Sequence, residues 1–368
     1  MKKIFLLLLI AFIMGLLPAC NKKNDMNEGG SEKTSEETTQ KMTEEISGKT
    51  TEKKTYTLAD YYPFLYNTMY TYYGEGNEYA SFNMSFDAFN EARVQTRSNN
   101  GGTEKVDVIE INNGRLTRIF SRDECYYREN FLSKEPEMRD VLLMEPLVIG
   151  TEWTASDGRR RYISGTDVKV ITPAGTFHAV EVITEGDNDK NVDYYAPGSG
   201  LVKTVWESQE GYMVSSTLSQ ITRGHQFIQS IRFFYPNRNA DRLYYIDKDI
   251  SYDTNDITMI VLQNAFKDLP EGNIARVLTE NVKINRLYLN EDGKLYVDFS
   301  KELVSEMNAG AGYESLILAG ITNTLGCYYG VEEVYITVEG SPYSSGHIEM
   351  EEGDAFIVAD KDALPVQK

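Results

Sequence analysis

Residues 295–304 read LYVDFSKELV, and two incompatible readings of them are open. Asp298, Ser300, Lys301 and Glu302 stand within five positions. As chemistry, Ser300 would be a nucleophile and Lys301 its base, the core of a hydrolase. As structure, the stretch is a strand that runs into a helix. Leu295, Val297 and Phe299 alternate with Tyr296, Asp298 and Ser300, and side chains two apart on a strand share a face. Ser300 is expected as the N-cap of a short helix holding Leu303 and Val304, its hydroxyl accepting from an amide two or three residues on. Glu302 then falls in the first helical turn, where the helix dipole favours a carboxylate. A serine nucleophile needs a base within hydrogen-bond reach, and no histidine is near in sequence. The structural reading accounts for every polar residue, so the chain is read as a non-enzyme with no catalytic residue.

Working outward, 228–234 and 243–250 are extended runs, and Asp256 is expected to cap a helix that continues to Lys267. Residues 282–289 alternate, 290–293 (NEDG) turn the chain, and 294–299 return as the hairpin partner. A second helix is expected over 313–327, stopped by Gly330, before a strand at 334–338. The order β-β-α-β-β-α-β predicts a small α+β domain with its helices on one sheet face. FFYPN (233–237), NEDGKLYVDFSKEL (290–303), GYESLILAGITNTL (312–325) and VEEVYITVEG (331–340) together resemble the GerMN domain, known from sporulation and spore-germination lipoproteins. The resemblance covers 226–342 and leaves 343–368 as a C-terminal tail. It implies a protein-assembly role, because paired GerMN domains resemble ring-building motifs. Self-association or other envelope proteins are the implied partners. One copy is visible in the sequence.

Towards the N-terminus, 55–225 reads as a β-rich domain, a curved sheet, sandwich or half-barrel. Asn112-Asn113-Gly114 and Pro173-Ala174-Gly175 divide alternating runs as hairpin turns, and one short helix is expected near 134–144. The pieces EPLVIGTEW (145–153), TPAGTF (172–177) and YYAPGSGLVK (194–203) resemble a recurrent β-rich domain of bacterial envelope proteins with no agreed activity. Tyr61, Tyr62, Tyr66, Tyr70, Tyr72, Tyr73 and Tyr79 open this domain. An exposed row of them would stack on cell-wall glycan, which is the rival to the assembly reading; aromatics in β-rich domains more often serve the core.

Lys2 and Lys3 precede an apolar run, 4–17, too short for a comfortable membrane span, and Leu17-Pro18-Ala19-Cys20 follows. The arrangement resembles a bacterial lipobox, which implies a diacylglycerol on Cys20, removal of 1–19 as signal peptide, and anchoring on the extracytoplasmic face of the cell membrane. Residues 20–54 are polar and are expected to be a disordered tether holding the body roughly 30 Å from the bilayer. The formal charge is −19, and loss of Lys2 and Lys3 makes it −21. Such a balance opposes nucleic-acid binding, which depends on neutralising phosphates.

Other chemistry finds little support. His178, His225 and His347 form no HExxH or HxH pattern, and no CxxC pair exists. Asp187, Asp189 and Asp193 begin like a calcium loop, but Val192 stands where the loop needs Gly. They are expected as a solvated hairpin tip. The acidic groups Asp247, Asp249, Asp253 and Asp256, and Glu349, Glu351, Glu352 and Asp354, are read as solvated charge, with weak Ca²⁺ binding as the rival reading. No cofactor or metal ligand is assigned. Cys125 and Cys327 are expected to remain unpaired.

Overall fold

The computed structural model describes residues 55–366; the expected signal peptide, Cys20 and the tether up to residue 54 lie outside the described residues. A single helical turn, α1 (Leu58–Tyr61), opens the body. The first run of strands is β1 (Thr68–Glu75), β2 (Phe82–Phe89), β3 (Arg93–Asn99), β4 (Glu104–Asn112), β5 (Arg115–Asp123) and β6 (Asp140–Met144). The second is β7 (Glu152–Thr154), β8 (Arg160–Thr172), β9 (Gly175–Glu185), β10 (Asp189–Ala196), β11 (Gly200–Ser208) and β12 (Met213–Arg223). All twelve join one antiparallel sheet in the order β6-β5-β4-β3-β2-β1-β12-β11-β10-β9-β8-β7. Its two edges are therefore consecutive in the chain. They meet, and side chains close the seam: Trp153 Nε1 donates to Val141 O at 2.7 Å and Arg161 Nη1 to the same oxygen at 2.6 Å. The β8–β9 turn curls back on β12, Ala174 N donating to Leu218 O. The result is a nearly closed half-barrel, one of the architectures expected from the sequence.

The turns explain the register. Asn113 and Gly114 both take positive φ (50° and 67°), the geometry a two-residue hairpin needs. Thr172 pairs with Gly175 around Pro173-Ala174. The helix expected near 134–144 is absent. Residues 124–139 run as an irregular wedge and Asp140–Met144 is strand β6, its Asp140 and Leu143 both buried although three apart, because the pairing with β5 shifts register between them.

The second half begins with β13 (Phe227–Pro236) and β14 (Leu243–Tyr252) as a hairpin, then α2 (Thr258–Lys267). β15 (Ile284–Leu289) and β16 (Leu295–Phe299) form the next hairpin, with Asn290 N bonded to Lys294 O across the turn. After the short α3 (Glu302–Ser305) comes α4 (Ala311–Tyr329), stopped by Gly330 in the left-handed region. β17 (Glu333–Val338) pairs parallel with β16, giving the crossover from β16 through α4. The strands do not form one sheet as expected. β13 and β14 form one sheet, and β15, β16 and β17 another. The helix α4 lies against both and is buried on nearly every side.

Residues 343–366 pack on the body. β18 (Ser341–Pro342) and β19 (Phe356–Ile357) pair with β17, and β20 (Leu364–Pro365) runs parallel to β14. Asn323 and Ala359 exchange two hydrogen bonds at 2.9 and 2.8 Å, fixing this segment to α4.

Two cores result. Inside the half-barrel lie Leu58, Tyr70, Phe86, Val94, Ile109 and Val180 with their neighbours. The other core is continuous between the halves: Val106, Val108 and Phe120 on the outer face of β4–β5 join Phe131, Phe233, Phe266, Phe299 and Leu325. Ordinary strand alternation turns Val106 and Val108 outward and Asp107 and Ile109 to the barrel interior, and a bulge leaves Ile119 as an extra residue of β5, so that Ile119 and Phe120 both reach this second core.

Candidate functional site

The half-barrel encloses a cavity of about 400 Å³, within the range of small-molecule sites. Period-2 alternation delivers its lining. β1 contributes Tyr70 and Tyr72, β2 Phe82, Met84 and Phe86, β3 Thr96 and Ser98, and β4 Lys105 and Asp107. Arg118 of β5, Asp140 of β6 and Arg161 of β8 face it from the seam side, with Asn191, Asp193 and Tyr195 of β10 beside them. Tyr62 and Pro63, just after α1, close one part of the wall.

The polar side is an ordered network. Asp140 bridges two arginines, accepting from Arg118 Nη2 at 2.8 Å and Arg161 Nη1 at 3.0 Å. Arg161 Nε donates to Thr184 Oγ1 at 2.8 Å. Arg118 Nη1 stands 3.8 Å from Asp107 Oδ2. Asp193 accepts from Thr204 Oγ1 at 2.6 Å and Asn191 Nδ2 at 2.8 Å, yet burial pushes its carboxyl above the ordinary value. Three buried polar atoms on this lining have no partner: the Tyr70 hydroxyl, Asp107 Oδ1 and Arg118 Nε. Burial pushes the Tyr70 phenol up to about 12, and it raises those of Tyr62, Tyr72 and Tyr195 as well, so all four remain neutral hydroxyls.

The sequence expectations are redistributed. The tyrosines do not form an exposed row: Tyr61, Tyr62, Tyr70 and Tyr72 are buried, while Tyr66, Tyr73 and Tyr79 are exposed. Asp193 is not part of a solvated tip; the inward face of β10 turns it into the cavity. Asp187 is exposed, and Asp189 accepts from Trp206 Nε1 at 2.9 Å. Ser300 caps no helix amide with its side chain. The α3 boundary falls one residue later, at Lys301, and the Ser300 hydroxyl instead accepts from the Lys283 amide at 3.0 Å. Asp256 does not cap α2 either; its carboxylate accepts from the Asp253 amide at 2.8 Å.

His178 meets Asp167 on the surface at 2.7 Å, and His347 Nδ1 lies 2.9 Å from Glu314. Among the described residues, no three His, Cys, Asp or Glu side chains converge as metal ligands would. Asp247 pairs with Arg232, Asp253 accepts from Asn67 and Gln226, and Asp354 accepts from the Glu351 amide. Cys125 is buried, Cys327 is exposed, and both are free.

A second surface belongs to the C-terminal sheet. On the face away from α4, Tyr288, Tyr296 and Tyr335 line up across β15, β16 and β17 through the observed register. Their ring centroids are 5.5 and 4.9 Å apart. The next row is Arg286, Asp298 and Thr337, and Asp298 is fixed by Thr337 Oγ1 and the Gly340 amide, both at 2.7 Å.

Comparison with known proteins gives the C-terminal half a family. Residues 233–344 match the Germane family model, described as sporulation and spore germination. The chain thus carries a Germane (GerMN-like) domain at its C-terminal end, as the resemblance implied, and the family description names a process, with no reaction. Among solved structures, the tandem GerMN domains of the sporulation protein GerM from Bacillus subtilis align at 17% identity and TM-score 0.28, over 38% of this chain and 47% of that one. The first GerMN domain of the same protein aligns at 18% identity and TM-score 0.27, over 36% and 99%. A Clostridium perfringens chain provisionally described as a lipoprotein aligns at 20% identity and TM-score 0.25, over 37% and 89%. No curated protein matches the chain.

Proposed function

With a sporulation-and-germination domain at 233–344 as the premise, we propose that the chain is a lipid-anchored, non-catalytic protein of the extracytoplasmic membrane face, in which the Germane domain is an assembly module. The lipobox-like residues ending at Cys20 support the anchor. A structural role for Ser300 supports the absence of catalysis: its hydroxyl accepts from the Lys283 amide and is hydrogen-bonded to the Glu302 carboxylate in the first turn of α3.

The observation that carries the assembly role is the tyrosine face of β15–β17. Tyr288 is 40% exposed and stacks on Tyr296 in a row that ends at Tyr335. Tyrosine is enriched where proteins meet, because it combines a large apolar area with a polar tip. A second copy or another envelope protein would pack on this face.

Sedimentation velocity of residues 55–368 over a range of concentrations tests the role, with in-cell crosslinking from a photoreactive residue at position 288. Association or a discrete crosslink that Tyr288→Asp abolishes is expected. A monomer at every concentration, with no crosslink from this face, would overturn the proposal. Palmitate labelling with Cys20→Ala as control tests the anchor separately.

A further inference from the structure

We infer that the half-barrel cavity is a saccharide site, sized for one or two sugar rings, with Tyr70, Asp107 and Arg118 as the groups that receive the ligand's hydroxyls. This does not depend on the assembly role of the Germane domain, and it places sugar recognition inside the half-barrel instead of on an exposed tyrosine row.

Three partnerless polar atoms lie on the cavity lining. Buried polar atoms are almost always hydrogen-bonded, and three exceptions on the lining of one cavity, from β1, β4 and β5, require an explanation. They differ in kind. Asp107 Oδ1 only accepts, Arg118 Nε only donates, and the Tyr70 hydroxyl does both. A ligand that satisfies all three must donate at one point and accept at another, as a molecule carrying several hydroxyl groups does.

Charge narrows the class further. Arg118, Arg161 and Lys105 are set against the carboxyls of Asp107, Asp140 and Asp193, with Asp140 shared between the two arginines. Lys105 on the lining is 3.5 Å from Asp123. A pocket so compensated neither attracts an anion strongly nor demands a cation, and it suits a neutral polar molecule. An acyl chain is disfavoured, since hydrocarbon would leave these groups buried and unpaired.

The part of the lining supplied by β1 and β2 is aromatic. Tyr72 stacks on Phe82 at 4.3 Å, and Phe86 stands edge-on to Tyr70 at 5.7 Å, with Met84 and Leu201 nearby. A lining that combines flat apolar rings with hydroxyl-matching polar groups suits a pyranose, which presents both C–H groups and hydroxyls.

The test uses the purified chain and saturation-transfer NMR with glucose, N-acetylglucosamine and chitobiose as probes. Inorganic phosphate and decanoate represent the competing classes, and co-sedimentation with insoluble peptidoglycan is run alongside. Saturable binding of at least one soluble sugar is expected. Tyr70→Phe and Asp107→Asn should each weaken it about fivefold or more, the loss of one matched hydrogen bond. Tyr70→Phe removes only a partnerless hydroxyl, so its melting temperature should match the parent and separate lost binding from lost folding.

The inference is overturned if all three sugars are inert towards a chain with an intact melting transition. It is equally overturned if sugar binding ignores both substitutions, or if phosphate or decanoate binds where the sugars do not. Co-sedimentation with peptidoglycan without soluble-sugar binding would place recognition outside the cavity and would also defeat it.

Discussion

Ser300 joins two parts of the chain at once. Its hydroxyl accepts from the Lys283 amide at 3.0 Å, and its carbonyl accepts from Leu303 in the first turn of α3. Ser300→Ala leaves the Lys283 amide without that partner and should cost about 1 kcal/mol in urea unfolding. An unchanged midpoint would show that solvent replaces the hydroxyl. Glu314 is the other residue whose role exceeds its position. It is buried, and it accepts from Tyr343 at 2.8 Å and Ser345 at 2.5 Å while facing His347. Burial alone pushes its carboxyl up, but hydrogen bonds from Ser345, Tyr343 and His347 outweigh that and hold it below the ordinary carboxylate range. A carboxyl lowered on folding adds stability above its unfolded value, and that contribution is lost as pH falls through the folded value. Residues 343–348 should therefore loosen on acidification. Amide exchange at Ile348, which donates to Ser345 Oγ, should accelerate below the ordinary carboxylate range, and Glu314→Gln should remove that step.

Among the elements, α4 is the most constrained. It is packed by β13 on one side and by β16–β17 on another, and Thr324 Oγ1 accepts from the Phe234 amide at 2.9 Å. Gly320 permits the approach: a Cβ there would stand 2.9 Å from Phe234 O and 3.0 Å from Val277 Cγ1. Gly-to-Ala in a helix ordinarily gains about 1 kcal/mol. At position 320 the clash should reverse the sign, with a net loss of about 1–3 kcal/mol. Gly312→Ala, where an added Cβ meets nothing within 4 Å, should be neutral or stabilising, and paired denaturation curves check both. These elements were largely legible in the sequence. The alternation of 295–299, the turn at 290–293 and the left-handed stop at Gly330 are local signals, and each stands where the pattern put it. Long-range facts were not legible. That β13 and β14 stand apart from β15–β17 depends on α4 lying between them. The wedge at 124–139 owes its shape to Phe131 and Cys125 finding a core supplied by the other half of the chain. The polar lining of the half-barrel was equally hidden, because Asp107, Arg118, Asp140 and Arg161 come together only when β6 meets β8. The alternation of Val106, Asp107 and Val108 was legible, but the bulge that adds Ile119 to the outer core beside Phe120 leaves no mark in composition.

At the scale of the molecule, the two sheet systems behave as one body because they share a core and a bolt. The bolt is Arg128, buried at 3% exposure. Its Nη2 donates to Asp87 O at 2.6 Å in the half-barrel and to Asp253 O at 3.2 Å after β14. Nη1 reaches Asp256 O at 2.5 Å, and the guanidinium lies 5.0 Å from the Tyr252 ring. Around it, Asn67 and Thr254 bond each other through both backbone amides, at 2.9 and 2.8 Å. Loss of a buried charged donor leaves several carbonyls without it, so Arg128→Met should cost about 3 kcal/mol or more. Arg232→Met, which breaks an exposed pair with Asp247, should cost under about 1 kcal/mol. The chain supplies two separate reporters. Both tryptophans, Trp153 and Trp206, lie in the half-barrel, whereas α2 and α4 lie in the other half. Tryptophan fluorescence and the far-ultraviolet helix signal should therefore follow one urea transition in the parent chain, the test of a single cooperative unit. In Arg128→Met both should shift to lower urea together, because Val106, Val108 and Phe120 still bind the halves through the common core. Two separate transitions in the parent chain would mean that the outer face of β4–β5 stays folded without its covering, and the shared core would then not be what holds the halves together.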